Sequence, residues 1–262
     1  MSEQAPSDQD VRQHFTERAA SYTGGQGDTV EVMVALATPG ADTTALDVAT
    51  GTGLVAFALA AEITGSGSVI GVDFTAAMLA RAAEQQETDG AVASDGQISF
   101  AAADATRLPF ADGMFSVVTC RFSVHHFTHA IPAMQEMARV LAPGGRLVIG
   151  EFGMPEDPQK AAYFNRMERL RGHSHVQAFS ESQLSRMMAD VGCPVRDARL
   201  LKREMLASEW FETANTTDEN REIARKMLWD GLEGDLAGLS PQRVGEDLLL
   251  TRHEIVLSGV RA

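Results

Sequence analysis

The segment 46–53, with the sequence LDVATGTG, constrains the fold of this chain more than any other feature. A short apolar run ends there, two glycines follow at Gly51 and Gly53, and a stretch rich in alanine and leucine begins at residue 54. Glycine tolerates positive φ angles, so this pair lets the backbone turn tightly and approach a ligand closely. A strand, a glycine turn and a helix in this order are typical of the first unit of a parallel α/β sheet. The N–H groups at the start of such a helix are available to a polar ligand.

Short β-rich runs alternate with helical stretches through the first half of the chain. We predict strands at 44–50, 67–73, 98–104, 115–121 and 145–152. Strands separated by helices form right-handed crossovers and a parallel sheet covered on both faces, which is a doubly wound α/β architecture. The second half lacks this alternation. Its predicted elements are strands at 195–204 and 250–261, helical stretches at 157–171, 181–191 and 207–236, and a loop at 240–247.

The net charge and the cysteine content limit the kinds of partner and ligand that this chain is expected to bind. Lys and Arg total 22 against 36 Asp and Glu, and the formal net charge of −14 disfavours nucleic acid and other polyanions. Two cysteines are too few for a disulfide framework, and no Cys/His cluster has zinc spacing, so we predict no metal. No apolar run reaches the ~18–20 residues of a membrane span, and the polar N-terminus lacks a signal-peptide core. We therefore expect a soluble, cytoplasmic protein.

Two of the predicted strands that follow the glycine turn have an acidic residue at their last position. Asp73 ends the second predicted strand and Asp104 ends the third. Because the carboxyl ends of parallel strands meet at one edge, we expect both carboxylates to face the same crevice as the glycine turn. An acid at the end of the second strand accepts hydrogen bonds from ribose hydroxyls, an acid at the third suits an exocyclic amine, and Phe74 suits an adenine face. The pattern predicts a ligand that contains adenosine.

The glycine turn by itself leaves two such cofactors open. Counting from Gly51, it reads GTGLVA, and a dinucleotide turn of the form GxGxxG also permits the final alanine. Asp47, however, lies at the end of the first strand, where its charge would repel a pyrophosphate and attract a cation. S-adenosylmethionine carries an ammonium and a sulfonium group. We therefore favour S-adenosylmethionine over NAD.

These motifs resemble those of class I S-adenosylmethionine-dependent methyltransferases, in the broad group that includes ubiquinone/menaquinone C-methyltransferases and small-molecule O-methyltransferases. The resembling segments are 46–53, 69–79, 102–118, 125–127 and 138–149. They span most of residues 44–152 and identify the cofactor more specifically than the substrate. The resemblance implies a Rossmann-like, doubly wound, seven-stranded sheet whose last strand is antiparallel to the others, with helical cap insertions.

The resemblance also implies which side chains surround the cofactor. Asp73 is expected on the ribose, Phe74 and Met78 beside the adenine, and Asp104 on the adenine amine. Arg121 is large and cationic near a cationic cofactor, and either reaches the cofactor carboxylate or pairs with an acid. The full set of expected cofactor residues is Tyr22, Asp47, Ala49, Gly51, Gly53, Asp73, Phe74, Met78, Asp104, Ala105 and Arg121.

Two adjacent histidines are the candidates for a catalytic base. His125 and His126 follow the fourth predicted strand, at the edge of the sheet where the crevice lies. Histidine is the side chain whose ordinary pKa best suits proton abstraction near neutral pH. We prefer His126 over His125. The alternative is that the pair packs and hydrogen-bonds its loop without taking part in the chemistry.

We expect residues 1–262 to form a single methyltransferase domain. In this interpretation 1–40 supplies N-terminal helices that act as a lid, and 41–152 forms the cofactor-binding core. The remainder, 153–262, completes the sheet and supplies a helical substrate cap. The cap methionines, with Trp210 and Trp229, either line an apolar substrate pocket or form the core between the cap helices.

The predicted activity is transfer of a methyl group from S-adenosylmethionine to an oxygen or carbon of a small, mostly apolar metabolite, with natural-product biosynthesis as one setting. The alternative is an S-adenosylmethionine-binding cyclase, or another enzyme of this fold that transfers no methyl group, because the sequence contains no unambiguous base. The partner is a small molecule, and the sequence leaves the oligomeric state open, with a homodimer among the alternatives.

Overall fold

The computed structural model describes residues 5–22, 28–88, 97–212 and 216–262. In these residues a mixed sheet is flanked by helices. The strands are β1 (Thr44–Val48), β2 (Ser68–Asp73), β3 (Ile98–Ala102), β4 (Phe115–Arg121), β5 (Leu141–Gly153), β6 (Val195–Leu206), β7 (Gln242–Val244) and β8 (Asp247–Val260). The helices are α1 (Asp8–Arg18), α2 (Asp28–Ala37), α3 (Leu54–Glu62), α4 (Ala76–Thr88), α5 (Ala130–Val140), α6 (Pro158–Arg171), α7 (Glu181–Asp190), α8 (Ala207–Glu212) and α9 (Asp218–Asp230).

The order of strands in the sheet is β3-β2-β1-β4-β5-β8-β6, and β7 pairs with β8 outside this path. Strands β1 to β5 pair in parallel, whereas β8 is antiparallel to both of its neighbours, β5 and β6. The predicted doubly wound sheet with an antiparallel last strand is confirmed. The strand order reverses between β1 and β4, which places the crevice of such a fold at their carboxyl ends.

The sheet has eight strands, so the predicted count of seven is wrong. The additional strand is β7, which forms a hairpin with β8 across the turn at Gly245 (φ 63°). Its three residues are exposed and lie in a segment rich in glycine, proline and charge, which predicts a loop. The helical stretch predicted over 207–236 contains two separate helices, α8 and α9, and turns follow Asp230.

Helices cover both faces of the sheet because successive strand residues point in opposite directions. Leu46 and Val118 pack in a buried cluster with α5 and α7, whereas their neighbours Ala45 and Val117 pack in a second cluster with α2 and α3. The near-continuous apolar strands therefore bury both of their faces. No described helix has the length and hydrophobicity of a membrane span.

The cap helices have a hydrophobic core of their own. Trp210, Phe164 and Met167 are buried with residues of α9 and with Leu248 and Leu250 of β8. Trp229 packs at the edge of this cluster, beneath the guanidinium of an arginine. Of the two interpretations of the cap methionines and tryptophans, the structure supports the one in which they form helix core.

Candidate active site

A pocket opens at the carboxyl ends of the first strands, where the strand order reverses. It encloses about 1150 Å³, solvent at its mouth included. The lining residues lie within 8–15, 47–55, 72–78, 103–106 and 121–129, together with Tyr22. The pocket therefore combines the ends of β1, β2 and β4, the segment after β3, and helix α1.

The glycine turn after β1 is held in a conformation that few side chains adopt. Ala49 and Gly51 both have a φ of 56°, and Thr50 donates its N–H to the carbonyl of Val72 at 2.9 Å. The positive φ favours glycine at position 51, where a Cβ atom would lie in ordinary van der Waals contact with the ring of Tyr22, at 3.8 Å. Ala49 and Gly51 line the pocket.

Gly53 lies behind the turn and is not among the residues that line the pocket. A Cβ atom there would come within 2.8 Å of Phe57 and 3.0 Å of Phe100, and its φ is 88°. Gly53 therefore allows helix α3 to pack closely on the sheet. The contact of Gly53 with the cofactor stays a prediction.

Asp47 is buried at the base of the turn with both carboxylate oxygens engaged. It accepts hydrogen bonds from the hydroxyl of Thr50 at 2.6 Å and from that of Thr119 at 2.7 Å. Burial raises the pKa of Asp47 to about 6, although the two threonine bonds oppose this shift. The side chain of Asp47 lines the pocket, and its two hydrogen bonds connect the glycine turn to β4.

Asp73 connects the ends of β1 and β2. Its Oδ2 accepts from the N–H of Gly51 at 3.0 Å, and its Oδ1 accepts from the N–H of Thr75 at 2.8 Å. Burial raises the pKa of this carboxyl group, and the backbone hydrogen bonds oppose the rise. Each of the two oxygens can accept a further hydrogen bond beside the one described. Asp73 therefore retains acceptor capacity toward the pocket that it lines.

The four residues predicted to surround an adenine all line the pocket: Phe74, Met78, Asp104 and Ala105. Asp104 is exposed, and its Oδ1 accepts from the N–H and the hydroxyl of Thr106 at 2.8 and 2.7 Å. The guanidinium carbon of Arg12, on α1, lies 5.0 Å from the centre of the Phe74 ring. Helix α1 therefore covers this end of the pocket.

Tyr22 and Arg121 both line the pocket and are close enough to interact electrostatically. The Tyr22 ring packs edge-on against Phe15, with 6.2 Å between the ring centres. Burial lowers the pKa of Arg121, while the nearby Tyr22, Glu254 and Asp47 raise it. Both roles left open for Arg121 stay predictions.

The two histidines have different positions. His126 lines the pocket, and because a carbonyl oxygen only accepts, its Nδ1 donates to Ser174 at 2.7 Å and its Nε2 carries the lone pair. His125 is buried and is not among the lining residues, and its Nδ1 lies 2.7 Å from Glu151 Oε2. This dyad lies behind His126, and the role of His125 as a base stays a prediction.

Sequence reasoning missed Phe122, which has a φ of 47° and lines the pocket. Its ring stacks on that of Phe152, with 4.2 Å between the ring centres and 17° between the planes. A bulky residue at positive φ is strained, and such strain is often found at functional sites. No pattern in the sequence indicates this backbone angle.

The pocket fits S-adenosylmethionine in its donor and acceptor set. Asp73 and Asp104 present carboxylates to hydroxyl and amine donors, Phe74 and Met78 present apolar surface, and the glycine turn leaves room for close approach. Among the described residues, no group of three or more His, Cys, Asp or Glu is arranged to hold a metal ion.

A family model for the ubiE/COQ5 methyltransferases matches residues 28–170, which is more than half of the chain. The chain belongs to the ubiE/COQ5 methyltransferase family. It is therefore a methyltransferase whose methyl donor is S-adenosylmethionine. The match includes β1 to β5 and the greater part of the pocket.

Individual relatives agree with this assignment. An uncharacterized methyltransferase of Bacillus subtilis, YcgJ, is 27% identical over 253 residues, covering 94% of this chain and 97% of that protein. The crystal structure of YcgJ superposes with a TM-score of 0.80 over 89% of this chain and 97% of that one, at 25% identity. The demethylmenaquinone methyltransferase of Thermus thermophilus is 38% identical over 171 residues, which cover 58% of this chain and 74% of that enzyme.

Proposed function

We propose that the pocket binds S-adenosylmethionine through the ends of β1 to β4. The turn at Ala49–Gly51 faces the methionyl part, with Asp47 fixing its conformation. Asp73 accepts from the ribose hydroxyls, and Phe74, Met78, Asp104 and Ala105 surround the adenine. The observation that supports this proposal is that Asp73, Asp104 and the glycine turn line one pocket.

When bound, S-adenosylmethionine supplies an electrophilic methyl group on a sulfonium sulfur. The protein then has to orient the acceptor, exclude water and, for a hydroxyl or carbon acid, remove a proton. We assign proton removal to Nε2 of His126, because its Nδ1 is committed to Ser174 and its ring lines the pocket. His125 and Glu151 are positioning residues that hold the ring of His126 from behind, with 3.9 Å between the centres of the two imidazoles.

The acceptor in this proposal is an oxygen or carbon atom of a small, mostly apolar metabolite. Carbon methylation of a quinol ring is the specific candidate, because the Thermus relative is a demethylmenaquinone methyltransferase and a relative from Bdellovibrio bacteriovorus is a ubiquinone/menaquinone biosynthesis C-methyltransferase. Phe15, Phe122 and Phe127 give the pocket an aromatic wall suited to a flat ring. A role in natural-product biosynthesis and a cytoplasmic location remain predictions.

The test is formation of S-adenosylhomocysteine when the protein is mixed with S-adenosylmethionine and a panel of acceptors: naphthohydroquinone, simple phenols and β-keto acids. Mass spectrometry and NMR of the product assign the methyl group to carbon or oxygen. Asp73→Asn serves as the matched variant, because it keeps the shape of the side chain and removes its charge. Binding of S-adenosylmethionine without transfer to any acceptor would instead favour the cyclase-like alternative.

A further inference from the structure

Strand β6 forms one edge of the sheet and is long for an edge strand. It has 12 residues and lies at the end of the strand order, with β8 on one side. Among the strands that the structure describes, none pairs with its other side. An unpaired edge of this length is a template for a further strand, whereas most proteins shorten or protect such edges.

Alternate residues of β6 direct their backbone hydrogen-bonding groups away from β8. The N–H of Val260, on β8, donates to the carbonyl of the residue that precedes β6, and two steps of the same alternation along β8 lead to Val256, the partner of Arg199. The backbone groups of Arg199 therefore point toward β8, and those of Leu200 point outward. The carbonyl of Ala198 shares the outward direction, and it accepts from the exposed side chain of Arg199 at 2.9 Å.

The charged side chains of β6 are complementary to those of a second, antiparallel β6. If two copies are related by a two-fold axis through Leu200, Asp197 of each copy lies directly opposite Arg203 of the other. Arg196, at the irregular end of the strand, then comes near Glu204 of the other copy. The ion pairs among the described residues include none of these four charged side chains. Opposite charges that face each other across two strands stabilise the pairing.

Neighbouring registers of the same pairing lose this complementarity. A shift by one residue would turn the side chains to the wrong face of the sheet. A shift by two residues would oppose Arg199 with Arg203 in one direction, and Arg196 with Lys202 in the other. Like charges that lie directly opposite each other destabilise a strand pair. The register centred on Leu200 contains no such pair, so the sequence of β6 selects it.

We propose that β6 joins two copies of this chain into a homodimer, by antiparallel pairing about a two-fold axis at Leu200. The two sheets then form one continuous sheet, and the outward backbone groups of both edges become paired. Leu200, whose side chain is 55% exposed in the single chain, is covered by its counterpart in the other copy. No residue of β6 lines the pocket, so this inference is independent of the methyl acceptor.

A charge exchange between Asp197 and Arg203 tests the interface. Analytical ultracentrifugation of the wild type at micromolar concentrations should show a dimer. Asp197→Arg and Arg203→Asp each place like charges opposite each other, so each should weaken self-association by about 10-fold or more. An equimolar mixture of the two variants should form a heterodimer, and the double variant should form a homodimer again, because unlike charges are restored. Glu219→Arg, exposed on α9, is the control and should leave self-association unchanged.

A cysteine at the proposed two-fold axis tests the register. The two native cysteines are both buried. Leu200→Cys should form a disulfide between copies on mild oxidation, because directly opposite residues of antiparallel strands have Cα atoms within the ~4.4–6.8 Å that a disulfide requires. Ile223→Cys is the control at an exposed apolar position on α9 and should not yield a covalent dimer under the same conditions.

Thermal unfolding of every variant shows that the fold is intact. A monomeric wild type would overturn the proposal, and so would self-association that persists in both single charge variants, because it would use another surface. A double variant or a mixture that stays monomeric would show that Asp197 and Arg203 do not face each other. Absence of the disulfide in a dimeric Leu200→Cys would contradict the register centred on this residue.

Discussion

The Nδ1 atom of His126 lies 2.7 Å from the carbonyl oxygen of Ser174, which joins the pocket to the segment between α6 and α7. This bond fixes the tautomer of the ring, so that Nε2 is the acceptor. Burial lowers the pKa of His126 well below its ordinary value, and the neighbouring His125 lowers it further. The ring therefore stays neutral under mildly acidic conditions and retains its lone pair.

Replacement of His126 by Gln should lower turnover by ~10²-fold without loss of affinity for S-adenosylhomocysteine, because proton removal is lost while the cofactor contacts remain. The measurement is kcat with an acceptor identified in the panel, beside isothermal titration. His173→Gln, at an exposed site, is the control and should leave both unchanged. In the wild type, the acid limb of kcat should lie below pH 6.5, because the lowered pKa keeps the base neutral there. An unchanged kcat in the variant would remove His126 from the chemistry.

Buried neutral histidines should make the protein less stable as the pH falls. Burial lowers the pKa of His175 from 6.5 to about 3, and its Nε2 donates to Asn165 Oδ1 at 2.8 Å. Between these two values the unfolded chain binds a proton that the folded chain excludes, so stability falls as the pH decreases. The expected slope is about 1.4 kcal/mol per pH unit for each such histidine.

His175→Gln keeps the donor to Asn165 and removes the titration, so it should flatten the dependence of the free energy of unfolding on pH. Urea unfolding at several pH values between about 6 and 4 measures the slope. His14 shares the effect, because burial lowers its pKa to about 4, so a residual slope is expected. A slope that is identical in variant and wild type would contradict this account of His175.

Loss of the Glu168 charge should strongly destabilise the protein. Glu168 is buried, and although burial alone would raise its pKa, Arg171 leads the nearby cations that lower the pKa to about 2. Glu168→Gln would leave the buried cations uncompensated, at a cost of about 3–5 kcal/mol in the free energy of unfolding. Glu219→Gln, exposed on α9, should change it by about 0.5 kcal/mol or less. A small effect in Glu168→Gln, measured by urea unfolding, would show that the ion pair is dispensable.

The strain at Phe122 is measurable by comparing two truncations. Phe122→Ala and Phe122→Gly both remove the stacked ring, but only glycine relieves a φ of 47°. The glycine variant should therefore be more stable than the alanine variant by about 1 kcal/mol. Equal stability, or a more stable alanine variant, would indicate that the backbone changes conformation once the ring is gone.

Most strands of the sheet were predictable, because short stretches of sequence determine where they begin and end. Apolar β-rich runs and the glycine turn placed β1, β2, β3, β4 and β6 within about two residues of their observed ends. The hairpin of β7 was not predictable, since three exposed residues between glycines carry no periodic signal. The break between α8 and α9 lacks a proline or glycine among its described residues, so helical composition on both sides concealed it.

The residues of the pocket were predictable only where they directly follow the ends of strands. Asp73 and Asp104 follow their strands directly, and parallel pairing brings such positions together. Gly53 fits the same motif, yet its role depends on Phe57 and Phe100, which are brought to it by tertiary packing.

Isothermal titration with S-adenosylhomocysteine and with NAD tests the central claim most directly. We expect micromolar-range binding of S-adenosylhomocysteine and much weaker binding of NAD. Asp73→Asn should weaken the former by roughly 10- to 100-fold, because charge-assisted hydrogen bonds of about 1.5–3 kcal/mol are lost. Asp190→Asn, exposed at the end of α7, should have no effect. Tighter binding of NAD than of S-adenosylhomocysteine, or an affinity that Asp73→Asn leaves unchanged, would contradict the assignment of this pocket.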